Sequence, residues 1–176
     1  MALVTTLMTM MLLVALGTAL SVLAGMETRI SGNYRAGAEA MYAAEAAVEV
    51  ALDELRAVPD WSAVLDGSFT SRLVFGPSSG RHHTAAGPID LTEATANPGW
   101  RLYARGNLRD FVRLEGVEAA SYVIVWVAPG VIPGTDALAV QGHAHGPGGV
   151  RRAVEVHVAR EGPLPGLRVF SWRGAP

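Results

Sequence analysis

The chain has 176 residues, a length that predicts one modest folded domain. It contains no cysteine, which excludes disulfides and thiolate metal sites. Its net charge of -2 gives no bulk electrostatic reason to expect binding to nucleic acid or to anionic lipid.

The first 26 residues carry no charged side chain, and the first charged residue is Glu27. An uncharged apolar run of this length can cross a bilayer as one helix. A cleaved secretory signal would begin with a basic segment and end at a small-residue cleavage site, whereas this run continues into more helix. We therefore predict that residues 1–26 form a membrane-embedded helix, and that a short basic leader has been removed ahead of Met1.

Residues 27–58 keep a helical period but become amphipathic, with apolar residues at three- and four-residue steps on one face. Pro59 ends the pattern, which predicts a single helix of about 55 residues from the N-terminus. Its weakest point is Gly32-Asn33, since glycine disfavours a helix by about 1 kcal/mol relative to alanine. We expect the apolar face to pack against a sheet through Met41, Val48, Leu52 and Leu55.

After Pro59 the pattern changes to period 2, which predicts a globular β domain over residues 59–176. Residues 62–99 are rich in Gly, Pro, Ser and Thr, and we expect that segment to consist mostly of loops. The predicted fold class is therefore α+β, with an antiparallel sheet packed on the amphipathic half of the long helix.

The sheet is predicted from short β-branched and aromatic runs separated by glycine-rich turns. Gly106-Asn107 predicts one hairpin turn and residues 146–149 a second. The predicted strands are 100–105 and 108–114 around the first turn, 122–128 at the centre, 137–145 and 150–160 around the second turn, and 167–172 at an edge.

Histidines are the first candidates for chemistry. His143 and His145 lie two apart on one strand face and His157 lies on the partner strand, so three imidazoles could hold zinc. No carboxylate or cysteine is clearly placed to join them, and exposed strand histidines are the favoured interpretation. His82 and His83 give a weaker signal. We predict no metal site.

Arginines form the second candidate group, because arginine interleaved with aromatic residues is typical of grooves for single-stranded nucleic acid. Asp110, Glu115 and Glu118 lie close by, and we therefore favour a solvated strand face over nucleic-acid binding. Motifs for a nucleophile with its base, a phosphate loop or a calcium loop are absent from the sequence, so neither an enzyme nor a cofactor is predicted. The basic cluster is Arg101, Arg105, Arg109 and Arg113, with Trp100, Tyr103 and Phe111 between them.

The N-terminal sequence closely resembles that of PilX-type minor pilins of bacterial type IV pili. The resemblance is strong over residues 1–56 and weak over residues 137–173. After the apolar start, its marks are Arg29, Gly32, Asn33, Arg35, the block Ala43-Ala44-Glu45-Ala46-Ala47 and Glu49.

The resemblance implies a route of processing and assembly. Such pilins lose a short basic leader to a prepilin peptidase and are then N-methylated, here at Met1. Most pilins carry a glutamate at the fifth mature position, which neutralises a neighbouring subunit's terminal ammonium in the apolar core. Thr5 cannot supply that charge, and a similar loss is characteristic of pilins at filament tips. We expect Thr5, Gly32 and Asn33 to matter for assembly.

The resemblance also implies a function and a location. We expect a structural minor pilin that helps prime pilus assembly and sits in the tip complex, as a hetero-oligomer with the major pilin, other minor pilins and a PilY-type tip adhesin. Before assembly the protein would cross the inner membrane once, with its C-terminal domain in the periplasm. Three alternatives stay open: a type II secretion pseudopilin, a membrane-anchored adhesin or DNA-binding pilin, and an envelope protein unrelated to filaments.

Overall fold

The computed structural model of the protein describes residues 2–112, 120–130, 136–161 and 166–175. Helices in these residues comprise one long helix near the N-terminus and three short ones in the globular part. They are α1 (Ala2–Ala57), α2 (Ser62–Asp66), α3 (Leu91–Ala94) and α4 (Leu108–Phe111).

The described strands form a two-stranded hairpin and a five-stranded antiparallel sheet. In the larger sheet each strand pairs with the next one in the chain, in the order β3-β4-β5-β6-β7. The strands are β1 (Arg81–Thr84), β2 (Gly87–Asp90), β3 (Arg101–Asn107), β4 (Tyr122–Pro129), β5 (Ala137–His145), β6 (Arg151–Glu161) and β7 (Gly166–Ala175).

The chain divides into two compact units, Met1–Arg35 and Ala36–Pro176. The described part of the first unit is the N-terminal part of α1, and the helix continues through Gly32 and Asn33. The second unit contains the rest of α1 and both sheets. A long helix that packs on a C-terminal antiparallel sheet confirms the predicted α+β, pilin-like fold.

Within the second unit, α1 packs on one face of the five-stranded sheet. Val48, Leu52 and Leu55 are buried in a core cluster with alternate residues of β4, β5 and β6, whereas Met41 is only partly buried at its margin. Five alanines of this helix face are buried as well, each with no more than 1% of its surface exposed: Ala40, Ala43, Ala44, Ala47 and Ala51.

Alanine dominates this interface because the helix lies very close to β5. A Cβ atom placed on Gly142 of β5 would lie 2.5 Å from Val48 Cγ2 and 3.0 Å from the carbonyl oxygen of Ala44. Larger side chains on either element would force the helix away from the sheet. The alanine block is therefore a packing surface as well as a favourable helix sequence.

The C-terminal end of α1 is held by residues distant in sequence. Trp61 is buried, and its indole N–H donates to the carbonyl of Leu55 at 3.0 Å. The Arg160 guanidinium of β6 donates to the carbonyls of Val58 and Pro59 and lies 4.5 Å from the Trp61 ring centroid. These contacts satisfy carbonyls that a helix end otherwise leaves without partners.

The predicted hairpin about Gly106-Asn107 is wrong. β3 includes both residues and pairs with β4, while Leu108–Phe111 forms α4 instead of a strand. The Asn107 backbone N–H donates to the Asp110 carboxylate at 3.2 Å, which closes a helical turn immediately after β3. The strand predicted at 108–114 also extends into residues outside the described part of the chain.

The strands predicted at 122–128, 137–145, 150–160 and 167–172 are confirmed as β4, β5, β6 and β7, within one to three residues at each end. The segment predicted as mostly loops contains α2, α3 and the β1–β2 hairpin. From this segment, β2 and α3 contribute to a second buried cluster on the sheet face opposite α1, whereas Val64 of α2 lies in the main core. The residues of that cluster are Ile89, Leu91, Tyr122, Ile124 and Trp126.

Candidate functional site

The surface of the first unit is the most unusual feature of the chain. Every described residue from Ala2 to Arg35 is exposed, and the leucines, valines and methionines of α1 up to Met26 each expose at least half of their surface. Burying one such side chain contributes about 1.5–3 kcal/mol. A helix with apolar side chains on all sides is expected to be covered by lipid or by other helices.

The side-chain hydroxyls of this apolar helix already donate hydrogen bonds to its own backbone. The hydroxyls of Thr6, Thr9, Thr18 and Ser21 donate to backbone carbonyls three or four residues earlier, at 2.8–3.0 Å, and Thr5 donates to the carbonyl of Ala2 at 2.8 Å. An apolar solvent offers no replacement partner for a free hydroxyl. α1 is long and apolar enough to cross a membrane, and the hydroxyls add no unsatisfied donor.

The predicted assembly positions lie in this same unit. Thr5 is on the apolar part of the helix, and Gly32 and Asn33 lie beyond the first charged residue and are exposed. A Cβ atom on Gly32 would meet no other heavy atom within 4 Å, so the fold of this unit does not itself require glycine there. Met1, the predicted processing site, lies outside the described residues.

The three candidate histidines do not converge. In the β5–β6 register, His157 pairs with Ala139, four residues along β5 from His143, which separates them by about 13 Å. His157 contacts Glu155 on its own strand at 2.9 Å. Within the described ranges, no group of three His, Asp or Glu side chains is placed to hold a metal ion.

His143 and His145 instead belong to the packed outer side of the sheet. The His143 ring meets the Trp126 ring edge-on, with centroids 4.5 Å apart, beside a cleft of about 320 Å³ that also includes Glu93 and Arg151. Burial lowers the pKa of His143, and burial together with nearby Arg151 lowers the pKa of His145 to about 4. Both imidazoles are therefore neutral at neutral pH.

The basic cluster is also dispersed. Arg101 is exposed and donates to the carbonyl of Leu65 at 3.3 Å, whereas Arg105 is 7% exposed and lies inside the domain. Arg109 is exposed on α4. Arg113, together with the neighbouring acids at 115 and 118, lies outside the described residues.

The aromatic residues of that cluster are likewise used internally. Tyr103 and Phe111 are buried in the main core, and the Tyr103 hydroxyl donates to a Glu54 carboxylate oxygen at 2.8 Å. Burial, followed by the nearby Glu54 carboxylate, raises the pKa of Tyr103. The three described arginines and these two rings do not form the continuous basic and aromatic groove that single-stranded nucleic acid requires.

Sequence reasoning missed one buried polar centre, which lies around Glu54. This side chain is 8% exposed and accepts hydrogen bonds from Tyr103, from the Ser71 hydroxyl at 2.5 Å and from the Arg72 backbone N–H at 3.2 Å. It ties α1 to the segment before β1 and to β3. A carboxylate next to Leu55 on the apolar face of the helix was the signal in the sequence.

Comparison with known proteins identifies the N-terminal part of the chain. Residues 1–49 match the PilX N-terminal family. The first 49 residues are thus similar to a PilX-type N-terminal region. The match covers the apolar unit and the start of the sheet-packed helix, including the alanine block. No curated protein and no solved structure matches the chain.

The match covers the exposed apolar part of α1, which is therefore similar to the N-terminal segment of a pilin. Pilins are structural proteins, and their apolar helices hold them in the inner membrane and then in the filament. The exposed apolar helix is similar to a type IV pilin segment and is long and apolar enough to cross a membrane, so it is the candidate functional site.

Proposed function

We propose that this protein is a minor pilin that helps prime type IV pilus assembly and occupies the tip complex of the filament. The supporting observation is an apolar PilX-type helix in which no carboxylate occurs in residues 1–26. In pilins of the filament body, a glutamate in this helix neutralises a neighbouring terminal ammonium. Here Thr5 donates its hydroxyl to a backbone carbonyl and carries no charge.

The missing charge would make repeated stacking of this subunit unfavourable. An ammonium buried without a counter-ion in an apolar core costs several kcal/mol. A homopolymer would incur that cost at every subunit contact, whereas a single distal copy would incur it at most once. We therefore propose that the protein is present in few copies, among other minor pilins at the end of the filament beyond the major pilin. A PilY-type adhesin would cap this tip complex.

The test is to count this subunit against the major pilin in sheared filaments and to locate it by labelling. Few copies, confined to one filament end, are expected. Regular labelling along the shaft would contradict the tip position. Loss of the gene product without any effect on the number of pili would contradict the priming role.

A matched pair of variants at Thr5 separates charge from shape. Thr5→Glu introduces the missing carboxylate, and Thr5→Gln introduces a side chain of the same size without charge. If charge restricts stacking, Thr5→Glu raises the number of copies per filament and Thr5→Gln does not. Equal copy numbers for both variants and the native chain would remove the electrostatic argument.

A further inference from the structure

The two edges of the five-stranded sheet differ. The outer edge of β3 is covered at Arg105, because the Phe75 N–H donates to the Arg105 carbonyl at 2.8 Å and the Arg105 N–H donates to the Leu73 carbonyl at 3.0 Å. β7 is the last strand at the other edge, and among the described residues it pairs with β6 alone. Open edges of this length are templates for another strand.

The side chains of β7 divide by face. Val169 and Trp172 pair with Val158 and Val156 of β6, so they lie on the face toward α1, yet they are 43% and 40% exposed. Phe170 lies at a bulge in the strand and is 46% exposed. Such exposure of three large apolar side chains on one strand is characteristic of an interaction site.

The opposite face of β7 is basic. Arg168 pairs in register with Ala159, and Arg173 pairs with Glu155, whose carboxylate it contacts. β7 itself contains these two arginines and no acidic residue, and the Arg168 guanidinium lies 5.1 Å from the centroid of the Phe170 ring. A strand placed beside β7 would thus meet an apolar face and a basic face.

A second copy of β7 does not fit this edge well. If two copies of β7 pair antiparallel about their midpoints, Arg168 of each copy lies opposite Arg173 of the other copy. Two arginine pairs then face each other, one at each end of the paired strands. Like charges directly opposite each other are unfavourable. The edge therefore favours a different chain over a copy of itself.

We propose that β7 receives an extended segment of another protein in which acidic side chains alternate with apolar ones. The segment would extend the sheet by one strand, with its acidic side chains beside Arg168 and Arg173 and its apolar side chains beside Val169 and Trp172. A nucleic acid could contact the arginines but would leave the strand's backbone groups unpaired. The inference rests on the β7 edge and would hold whether or not the protein occupies a filament tip.

Hydrogen exchange of the full-length chain in detergent tests the proposal with two synthetic probes. One is a ten-residue peptide of alternating Glu and Val, and its control is the same pattern with Lys in place of Glu. The acidic peptide is expected to slow exchange within residues 166–175, and the basic peptide is not. Exchange in β5, remote from the edge, reports whether the domain stays folded.

Two variants supply the matched controls. Arg168→Glu should weaken binding of the acidic peptide about fivefold, because it replaces a positive charge beside the bound peptide by a negative one. Arg109→Glu makes the same charge change on α4 and should leave binding unchanged. Phe170→Ser should also weaken binding, through the loss of apolar contact.

Several results would overturn the proposal. One is equal protection of β7 by the acidic and the basic peptide. Another is the absence of protection by either peptide at millimolar concentration. Protection that rises with protein concentration in the absence of peptide would indicate self-association. Protection of β7 by a single-stranded oligothymidine, in place of the acidic peptide, would make the basic face a nucleic-acid site.

Discussion

The two parts of α1 have apolar surfaces of opposite character. Up to Met26 the helix carries exposed leucine, methionine and valine on all sides, whereas from Ala40 to Leu55 its buried face is mostly alanine. Small side chains let β5 approach the helix closely at Gly142. The sheet-packed part of α1 therefore has a specific packing partner, β5, within the same chain. Large side chains without an internal partner suit an apolar environment that the chain itself does not provide.

The comparison predicts that the sheet-packed part tolerates almost no added volume. Gly142→Val would place its Cβ within 2.5 Å of Val48 Cγ2 and should destabilise the domain by about 3 kcal/mol or more, as overpacking does. Gly174→Ala is the control, because a Cβ there meets nothing within 4 Å. Urea unfolding of the full chain in detergent, followed by tryptophan fluorescence, measures both. Equal midpoints for the two variants would contradict the close packing.

Buried His145 should make the globular part, and not the apolar helix, sensitive to acid. Burial and Arg151 lower its folded pKa to about 4 from the ordinary 6.5. Between these values the unfolded chain binds the proton and the folded chain does not, so stability is highest above pH 6.5 and falls towards pH 4. The loss reaches up to about 3 kcal/mol, since one pKa unit corresponds to about 1.4 kcal/mol.

The measurement is the free energy of unfolding between pH 4 and pH 7. His145→Gln should flatten the profile in this range, while His83→Gln, at an exposed position of β1, should preserve the native slope. An unchanged slope in the His145 variant would show that another group causes the acid sensitivity.

The carboxylate of Glu54 is predicted to stabilise the sheet-packed helix through its buried hydrogen bonds. Glu54→Ala removes the acceptor for the Tyr103 and Ser71 hydroxyls and should cost about 2 kcal/mol, the scale for leaving buried donors unsatisfied. Asp53→Ala, at the exposed neighbouring position, should change stability by less than about 0.5 kcal/mol. A comparable loss in both variants would mean that helix charge, and not the buried network, is responsible.

The smallest effect on domain stability is expected in the apolar helix. Leu13→Asp should leave the unfolding midpoint of the globular domain unchanged, since Leu13 is 63% exposed and lies in the other unit. The same change should reduce membrane retention, because an aspartate at the centre of a membrane helix costs about 3 kcal/mol. A lower midpoint would indicate that the apolar helix contributes to the globular core.

The long helix and the strand pattern could be predicted from sequence because their periods persist over many residues. Val48, Leu52 and Leu55 follow from helical spacing alone, and β4 to β6 follow from apolar runs and a glycine-rich turn. The hairpin at Gly106-Asn107 failed because a turn motif is only a local preference. The competing contacts, namely the Asp110 cap and the pairing of β3 with β4, involve tertiary structure.

The candidate site was only partly accessible to such reasoning. The uncharged N-terminal helix and the missing carboxylate are properties of the sequence itself. The anchors of the sheet-packed part of α1 could not be predicted, because Arg160 reaches the end of α1 from about a hundred positions away and Glu54 finds its donors across the core. Residue type can suggest that such a group is buried, but the partners that make burial tolerable appear only in the folded chain.

Single-cysteine labelling tests the difference between the two parts of α1 most directly, because the chain has no native cysteine. Leu13→Cys and Glu49→Cys would each be treated with a membrane-impermeant maleimide, first in cells and then in purified filaments. We predict that Glu49→Cys is labelled in both states and that Leu13→Cys is protected in both, with labelling of Leu13→Cys restored in denaturant. Rapid labelling of Leu13→Cys in intact cells or filaments would contradict the proposed location of the apolar helix in the membrane and in the filament core.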